Sequence, residues 1–238
     1  MATTKVTSSV IGDNEVKTVN ILAANVTPAK VADDAITLAK LAPGTDGNLI
    51  TYDASGNPAA VATGSLGNVL TSAGSGAPPT MSMPTTLATA QSASGTPLTF
   101  SSLPAGLNRI VFMFAGFSTN GTSHLLLQLG DSGGLETSGY TSISSIVNTA
   151  TIGHVSSTAG IIVQNDAASN AHHGQVTFNR FNANQWAADG LINRGSNSIT
   201  WCAGTTVNLS AVCDRIAVTT VNGSDTFDAG SVNIQYGF

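Results

Sequence analysis

His172-His173 is the closest pairing of metal-ligating side chains in the sequence. Adjacent residues of a strand point to opposite faces, so the two imidazoles cannot hold one ion together. His124 and His154 are isolated. Asp225 and Asp228, in Ser224-Asp225-Thr226-Phe227-Asp228-Ala229-Gly230, could hold a cation with backbone carbonyls, but a turn beside a strand explains both acids as well. No His-Glu-x-x-His or Cys-x-x-Cys spacing occurs. For nucleophilic chemistry the one suggestive string is Gly130-Asp131-Ser132-Gly133-Gly134. Nothing else of a hydrolase signature accompanies it, and Ser132 reads as a polar-loop residue. Glycoside cleavage needs two acids facing each other across a cleft. Asp131, Glu136, Asp166, Asp189, Asp214, Asp225 and Asp228 are too sparse to name such a pair. The expectation is a protein with no catalytic residues, no metal and no cofactor.

Binding is the chemistry that remains. Sugars are gripped by stacking on aromatic rings and by hydrogen bonds from amides, carboxylates and guanidinium groups. The segment Phe178-Asn179-Arg180-Phe181-Asn182-Ala183-Asn184-Gln185-Trp186 is rich in that mixture. Trp186, Asn182, Arg180 and Tyr140 are the residues it offers for contact with a surface receptor. For Trp186, core or inter-subunit packing competes with that role. Trp201, in Ser198-Ile199-Thr200-Trp201-Cys202, reads as core.

The elements that would position these residues are strands. Leu107–Phe114, His124–Leu129, Tyr140–Val147, Gly160–Gln164, Gln175–Phe181, Gln185–Ile192, Ser198–Ala203, Arg215–Thr220 and Val232–Tyr236 are rich in branched and aromatic residues. Turn signals separate them, and no amphipathic helix interrupts them. Asn120-Gly121 predicts a hairpin, the usual meaning of Asn-Gly between apolar runs; a second Asn-Gly stands at Asn222-Gly223. The pattern predicts a β-sandwich or jelly roll. Arg109 and Arg215 each open an apolar strand, as caps or ion-pair partners. Cys202 and Cys213 are too few for a disulfide framework; they read as buried free thiols, with one local bridge as the rival.

The chain is uneven along its length. Of 13 aromatic residues only Tyr52 precedes position 100, all four lysines lie within the first 40 residues, and all four arginines lie after position 108. Charged residues are only 9% of the total and the net charge is −5, against about 25% charged in average proteins. No basic stripe suited to nucleic acid is visible. Mean hydropathy is +0.19, yet no apolar run approaches the roughly 18–20 residues of a membrane span. The N-terminal sequence has no signal-peptide core. A protein made in a cytoplasm, with no nucleic acid and no membrane insertion among its partners, is expected.

Two repeats fill the aromatic-poor part. In steps of ten from Lys5, the second position reads Val6, Val16, Val26, Ile36 and the seventh Ile11, Ile21, Val31, Leu41. Thr27-Pro28 and Thr37-Leu38 resemble helix starts, the first with proline at the first helical position. Each ten-residue unit is therefore expected to be a short extended piece followed by one helical turn. A second repeat, of period 20, aligns Gly47–Pro58 with Gly67–Pro78, each a three-residue strand followed by a glycine turn. Units this small gain stability by stacking or by packing on copies in other chains. Three chains around one axis would bury Val26, Val31, Ile36 and Leu41 against one another.

The strings "ITLAKLAPGTDGNLITYDASGNPAAVATGS", "GNVLTSAGSGAPPTM", "FSTNGTSHLLLQLGDSGGLETSGY" and "DRIAVTTVNGSDTFDAGSVNIQYGF" resemble bacteriophage tail-fibre and related virion-fibre proteins. The resemblance implies a homotrimer displayed on the outside of a virion. Residues 1–45 would attach to other virion proteins, residues 46–84 would form an elongated repeat shaft, and residues 85–238 a β-rich head meeting a host-surface glycan or protein. The fold class expected is thus mostly β, a shaft with short helical turns followed by a sandwich or jelly-roll head. The alternative is a decoration fibre on the head, collar or baseplate with a purely structural role.

Overall fold

A computed structural model describes residue 21 and residues 26–32, 35–36, 46–148, 152–195 and 198–238. The chain divides into two compact units. One takes in the described residues up to Thr63 together with Ser72–Thr80; the other is Gly64–Thr71 with Met81–Phe238. Among the described residues there is no α-helix, and nearly every element is a strand.

In the first repeat, Pro28–Lys30 forms a single 3-10 turn. It is closed by a hydrogen bond from the Lys30 N–H to the Thr27 carbonyl, 2.8 Å, at the first of the two expected helical turns. The second, at Thr37-Leu38, lies outside the described residues. In the second repeat, β1 (Leu49–Tyr52) pairs antiparallel with β2 (Pro58–Val61), and β3 (Val69–Thr71) pairs with β4 (Thr80–Ser82). The period of 20 has a backbone cause. Gly47 and Gly67 have φ of 79° and 89°, and Gly56 and Gly76 have 80° and 79°. Equivalent glycines thus hold equivalent left-handed turns, which side chains with a Cβ resist.

The remaining strands are β5 (Thr85–Leu87), β6 (Gln91–Ser92), β7 (Leu98–Phe100), β8 (Arg109–Thr119), β9 (Leu125–Asp131) and β10 (Gly134–Leu135). They continue with β11 (Thr141–Asn148), β12 (Ile152–Ser157), β13 (Ile161–Val163), β14 (His172–Arg180), β15 (Trp186–Asn193), β16 (Ser198–Thr205), β17 (Arg215–Thr220) and β18 (Phe227–Gly237). One sheet runs β12-β11-β16-β15-β14-β8-β18-β5, with β6 also on β18. The other runs β10-β9-β17-β7, with β13 also on β9. Ile110, Phe112, Val176, Phe178, Trp186, Ile192 and Ile234 from the large sheet meet Leu98, Phe100, Leu125, Leu127, Leu129, Ile161, Ile216 and Val218 from the small one in a single core. Arg109 opens β8 and Arg215 opens β17; the latter pairs with Asp214, Nε to Oδ1 2.7 Å.

Both Asn-Gly steps do something other than make hairpins. β8 and β9 lie in different sheets, as do β17 and β18, so each Asn-Gly turn carries the chain from one sheet to the other. Side chains hold them together with main-chain bonds, the Asn120 N–H donating to the Thr226 carbonyl, 2.9 Å, and the Val221 N–H to the His124 carbonyl, 2.9 Å. Asn120 Oδ1 accepts from the Thr226 N–H, 2.9 Å. Asp225 Oδ2 accepts from the Ser123 N–H, 2.9 Å, and its Oδ1 from Asn222 Nδ2, 2.7 Å. These polar bridges brace the two turns against each other beside the main-chain bonds.

Side chains also close the seam between the sheets. Ser142 Oγ accepts from the Ile162 N–H, 3.2 Å, and donates to the Gly160 carbonyl, 2.7 Å. Ser144 Oγ accepts from the Gln164 N–H, 3.1 Å, and shares a 2.8 Å hydrogen bond with Thr200 Oγ1. These hydroxyls from β11 satisfy N–H groups of the β13 edge that no strand reaches. On β8 and β18 the ladder is interrupted by bulges at Gly116 (φ 65°) and Gly230 (φ 77°). Bulges bend strands and raise local twist.

Both cysteines are free and buried. Burial pushes the Cys202 thiol up to about 12 and the Cys213 thiol up to about 11, so neither is a nucleophile at neutral pH.

Candidate functional site

Trp186 does not face a ligand. It lies on the inward side of β15 with Ala188 and Ile192 and is 1% exposed. Tyr140 is equally buried, and its hydroxyl is committed to the backbone. It accepts from the Leu129 N–H, 2.9 Å, and donates to the Leu129 carbonyl, 3.3 Å. Leu129 sits in the gap between the stretches of β9 paired to β13 and to β10, and the phenol fills that gap. Burial pushes the Tyr140 hydroxyl far above its ordinary range. Both aromatic residues expected at a receptor surface are therefore core residues: the register of β15 turns Trp186 inward, and Tyr140, just before β11, is buried with its hydroxyl on Leu129.

Arg180, the last residue of β14, and Asn182, in the exposed loop that follows, do come together, lining an open concavity of about 610 Å³ with Phe181, Asn184 and Val212. Asn182 is occupied in shaping that loop. Its Oδ1 accepts from the N–H groups of Asn184, 3.0 Å, and Gln185, 2.9 Å.

The residue expected in the core is the one at the surface. Trp201 is 58% exposed, on the outer face of the large sheet. Its register places Leu191 on one side and Ser145 on the other. Gln175 lies opposite Leu191 and Thr177 opposite Asp189, and Asp189 opposite Ala203. Gln175, Thr177, Asp189, Leu191, Trp201 and Ala203 line a concavity of about 440 Å³. Gln175 also lines a second one, of about 300 Å³, with Asn108, Arg109, Val111, Gln235 and Tyr236. The two hollows meet at Gln175. Ile143, Val147, Ile152 and Leu191 add exposed apolar surface around Trp201.

The acids and histidines that suggested chemistry have structural duties. The string Gly130–Gly134 is the tight turn joining β9 to β10, with Ser132 exposed at its tip. Its letters fit a Gly-x-Ser-x-Gly elbow, but the turn joins two strands rather than a strand and a helix. Asp131 is buried, and its carboxylate accepts from the Ser210 hydroxyl, 2.7 Å, the Ala211 N–H, 2.7 Å, and the Gly133 N–H, 2.8 Å. These bonds, the Ser210 hydroxyl foremost, hold its carboxyl below the usual 3.8. A carboxylate with a lowered folded-state pKa stabilises the fold above its unfolded value, and that contribution is lost as pH falls through the folded one. Asp131→Asn is accordingly expected to lower the melting temperature at pH 7 and to flatten its dependence on pH below about 4. Thermal scans of both proteins from pH 2 to 7 would show parallel acid limbs if Asp131 had no such role.

His172 and His173 do point to opposite sides. His172 is buried, with Nδ1 3.0 Å from the Phe117 carbonyl, and His173 is exposed, its Nδ1 accepting from the Gly116 N–H. Asp225 braces the two crossover turns, and Asp228 accepts from the Ser118 hydroxyl. Among the described residues no three His, Cys, Asp or Glu side chains gather.

In the first repeat Val26, Val31 and Ile36 are 60%, 36% and 60% exposed; Leu41 lies outside the described residues. Compared with family models and with curated proteins, the chain matches none.

Proposed function

We propose that this chain is one subunit of a homotrimeric fibre on the exterior of a bacteriophage virion, with residues 85–238 as a sandwich head that contacts the host cell surface. The observation that carries the trimer is the set of apolar side chains at five-residue intervals, Val26, Val31 and Ile36, each exposed in the single chain. Burying a Val or Ile side chain contributes about 1.5–3 kcal/mol, and the aromatic-poor repeats offer no other large core. Three copies around an axis cover that row. Three heads on one fibre also multiply weak surface contacts into firm attachment. The exposed Trp201 face supports a binding rather than a purely decorative role. In this reading the N-terminal segment holds other virion proteins.

The test is the mass of the full chain in solution by sedimentation equilibrium. Three times 23.9 kDa is expected; a clean monomer at micromolar concentration overturns the trimer. Adsorption of the labelled protein to bacterial cells then separates a host-binding head from a decorative one.

A further inference from the structure

We propose that the outer face of the large sheet binds a linear, uncharged polysaccharide. Trp201 is the stacking platform for one sugar ring, and Gln175 is the contact shared by two adjoining subsites. The inference rests on the reading of residues 85–238 as a host-contacting head, and it names the ligand class and the site.

Four observations support it. First, Trp201 stands on an interior strand of a sheet, flanked by β11 and β15. Its ring is therefore held on a firm surface rather than on a loop, and a flat apolar ring matches the C–H face of a sugar. Second, the hollow beside it has a cause. Ala203 lies two residues along the strand and opposite Asp189, and its small side chain leaves room between the indole and the carboxylate. Third, the side chains of Gln175, Thr177 and Asp189 make no hydrogen bond or ion pair to another described residue, so all three are available. An amide and a hydroxyl both donate and accept, as sugar hydroxyls do. Fourth, the groove extends beyond one ring. It crosses β18, β8, β14, β15 and β16, four steps between paired strands and roughly 19 Å, enough for a short run of linked sugars.

Charge selects among polymers. Asp189 is the charged side chain in one hollow and Arg109 in the other, so the side chains of the groove balance in charge. A nucleic acid or a polyanionic capsule would need clustered cations, which this face lacks. A second copy of the chain is the rival occupant, because the apolar rim of Ile143, Val147 and Ile152 would also suit an interface.

The experiment uses the full-length protein and an array of isolated bacterial polysaccharides, uncharged and anionic. Trp201→Ala, Trp201→Phe and Gln175→Ala are compared with the parent, each with its solution mass measured. The parent is expected to retain at least one uncharged polysaccharide. Trp201→Ala weakens that binding about tenfold or more, Trp201→Phe recovers part of it, and Gln175→Ala weakens it to a smaller degree. The oligomer mass stays the same throughout. Retention of anionic polymers alone, retention of none, undiminished binding by Trp201→Ala, or dissociation of the oligomer by that substitution would each overturn the proposal. A parent that is oligomeric and adsorbs to cells while Trp201→Ala does so equally well leaves the fibre reading standing and removes only this site.

Discussion

Trp186→Ala is expected to destabilise the protein by about 3–5 kcal/mol, the largest effect of any single side-chain truncation proposed for it. The indole is 1% exposed in the core between the sheets. Its neighbours belong to a ladder: the Trp186 N–H donates to Thr206 Oγ1, 2.9 Å, and its carbonyl accepts from the Thr206 N–H, 2.8 Å. Such a backbone cannot collapse into the space left behind. Domains are stable by only about 5–15 kcal/mol in total. For a unit of this size the loss corresponds to a fall of about 6–20 °C in melting temperature. Trp201→Ala supplies the contrast. Its indole stands mostly in water, and surface substitutions usually change stability by less than about 0.5 kcal/mol. Thermal unfolding of the two variants by near-ultraviolet circular dichroism checks the assignment. Equal melting temperatures would overturn the assignment of Trp186 to the core and Trp201 to the surface.

The second large effect is at Gly230. Its φ of 77° is in the left-handed region, and a Cβ there would lie 2.2 Å from the carbonyl oxygen and 2.3 Å from the carbonyl carbon of Gly116. Both atoms are backbone, so no side-chain rotation relieves the overlap. Left-handed φ in a residue with a Cβ costs about 1–2 kcal/mol, and overpacking adds about 1–3. Gly230→Ala is therefore expected to lose about 2–5 kcal/mol. Gly223→Ala is the control: φ is 66° and nothing lies within 4 Å of the added carbon, so only the backbone cost applies. Chemical denaturation should place Gly230→Ala well below Gly223→Ala. Equal losses would show that β8 and β18 separate at the bulge without penalty.

The strands were legible because their residue types speak for themselves: β8, β9 and β17 are runs of branched and aromatic side chains that suit little else. The glycine positions of the 20-residue repeat were legible for the same local reason. Facing was harder. On β15 the alternation Trp186, Ala188, Ile192 against Ala187, Asp189, Leu191 marks the first set as inward, a stronger signal than an aromatic ring's affinity for ligands. On β16 the pattern runs the other way. The inward positions Thr200 and Cys202 are small, while Ile199, Trp201 and Ala203 face out. A hydrophobicity pattern cannot reveal an outward tryptophan when the outward side is the more apolar one. The Asn-Gly steps misled because the dipeptide specifies a turn, whereas the sheet that receives the next strand is decided by contacts with residues about a hundred positions away.

That separation sets a schedule for synthesis. β8 (residues 109–119) is flanked in the finished sheet by β14 and by β18, and β18 ends 118 residues after β8 does (237 against 119). At about 5–20 residues per second, a ribosome needs roughly 6–24 s to cover that distance. For that interval the strand carrying Phe112, Phe114 and Phe117 has one hydrogen-bonding edge without its native partner, however early the rest of the sheet begins to assemble. The large sheet is thus a late closer, its β8 edge completed only once Phe227–Gly237 emerges.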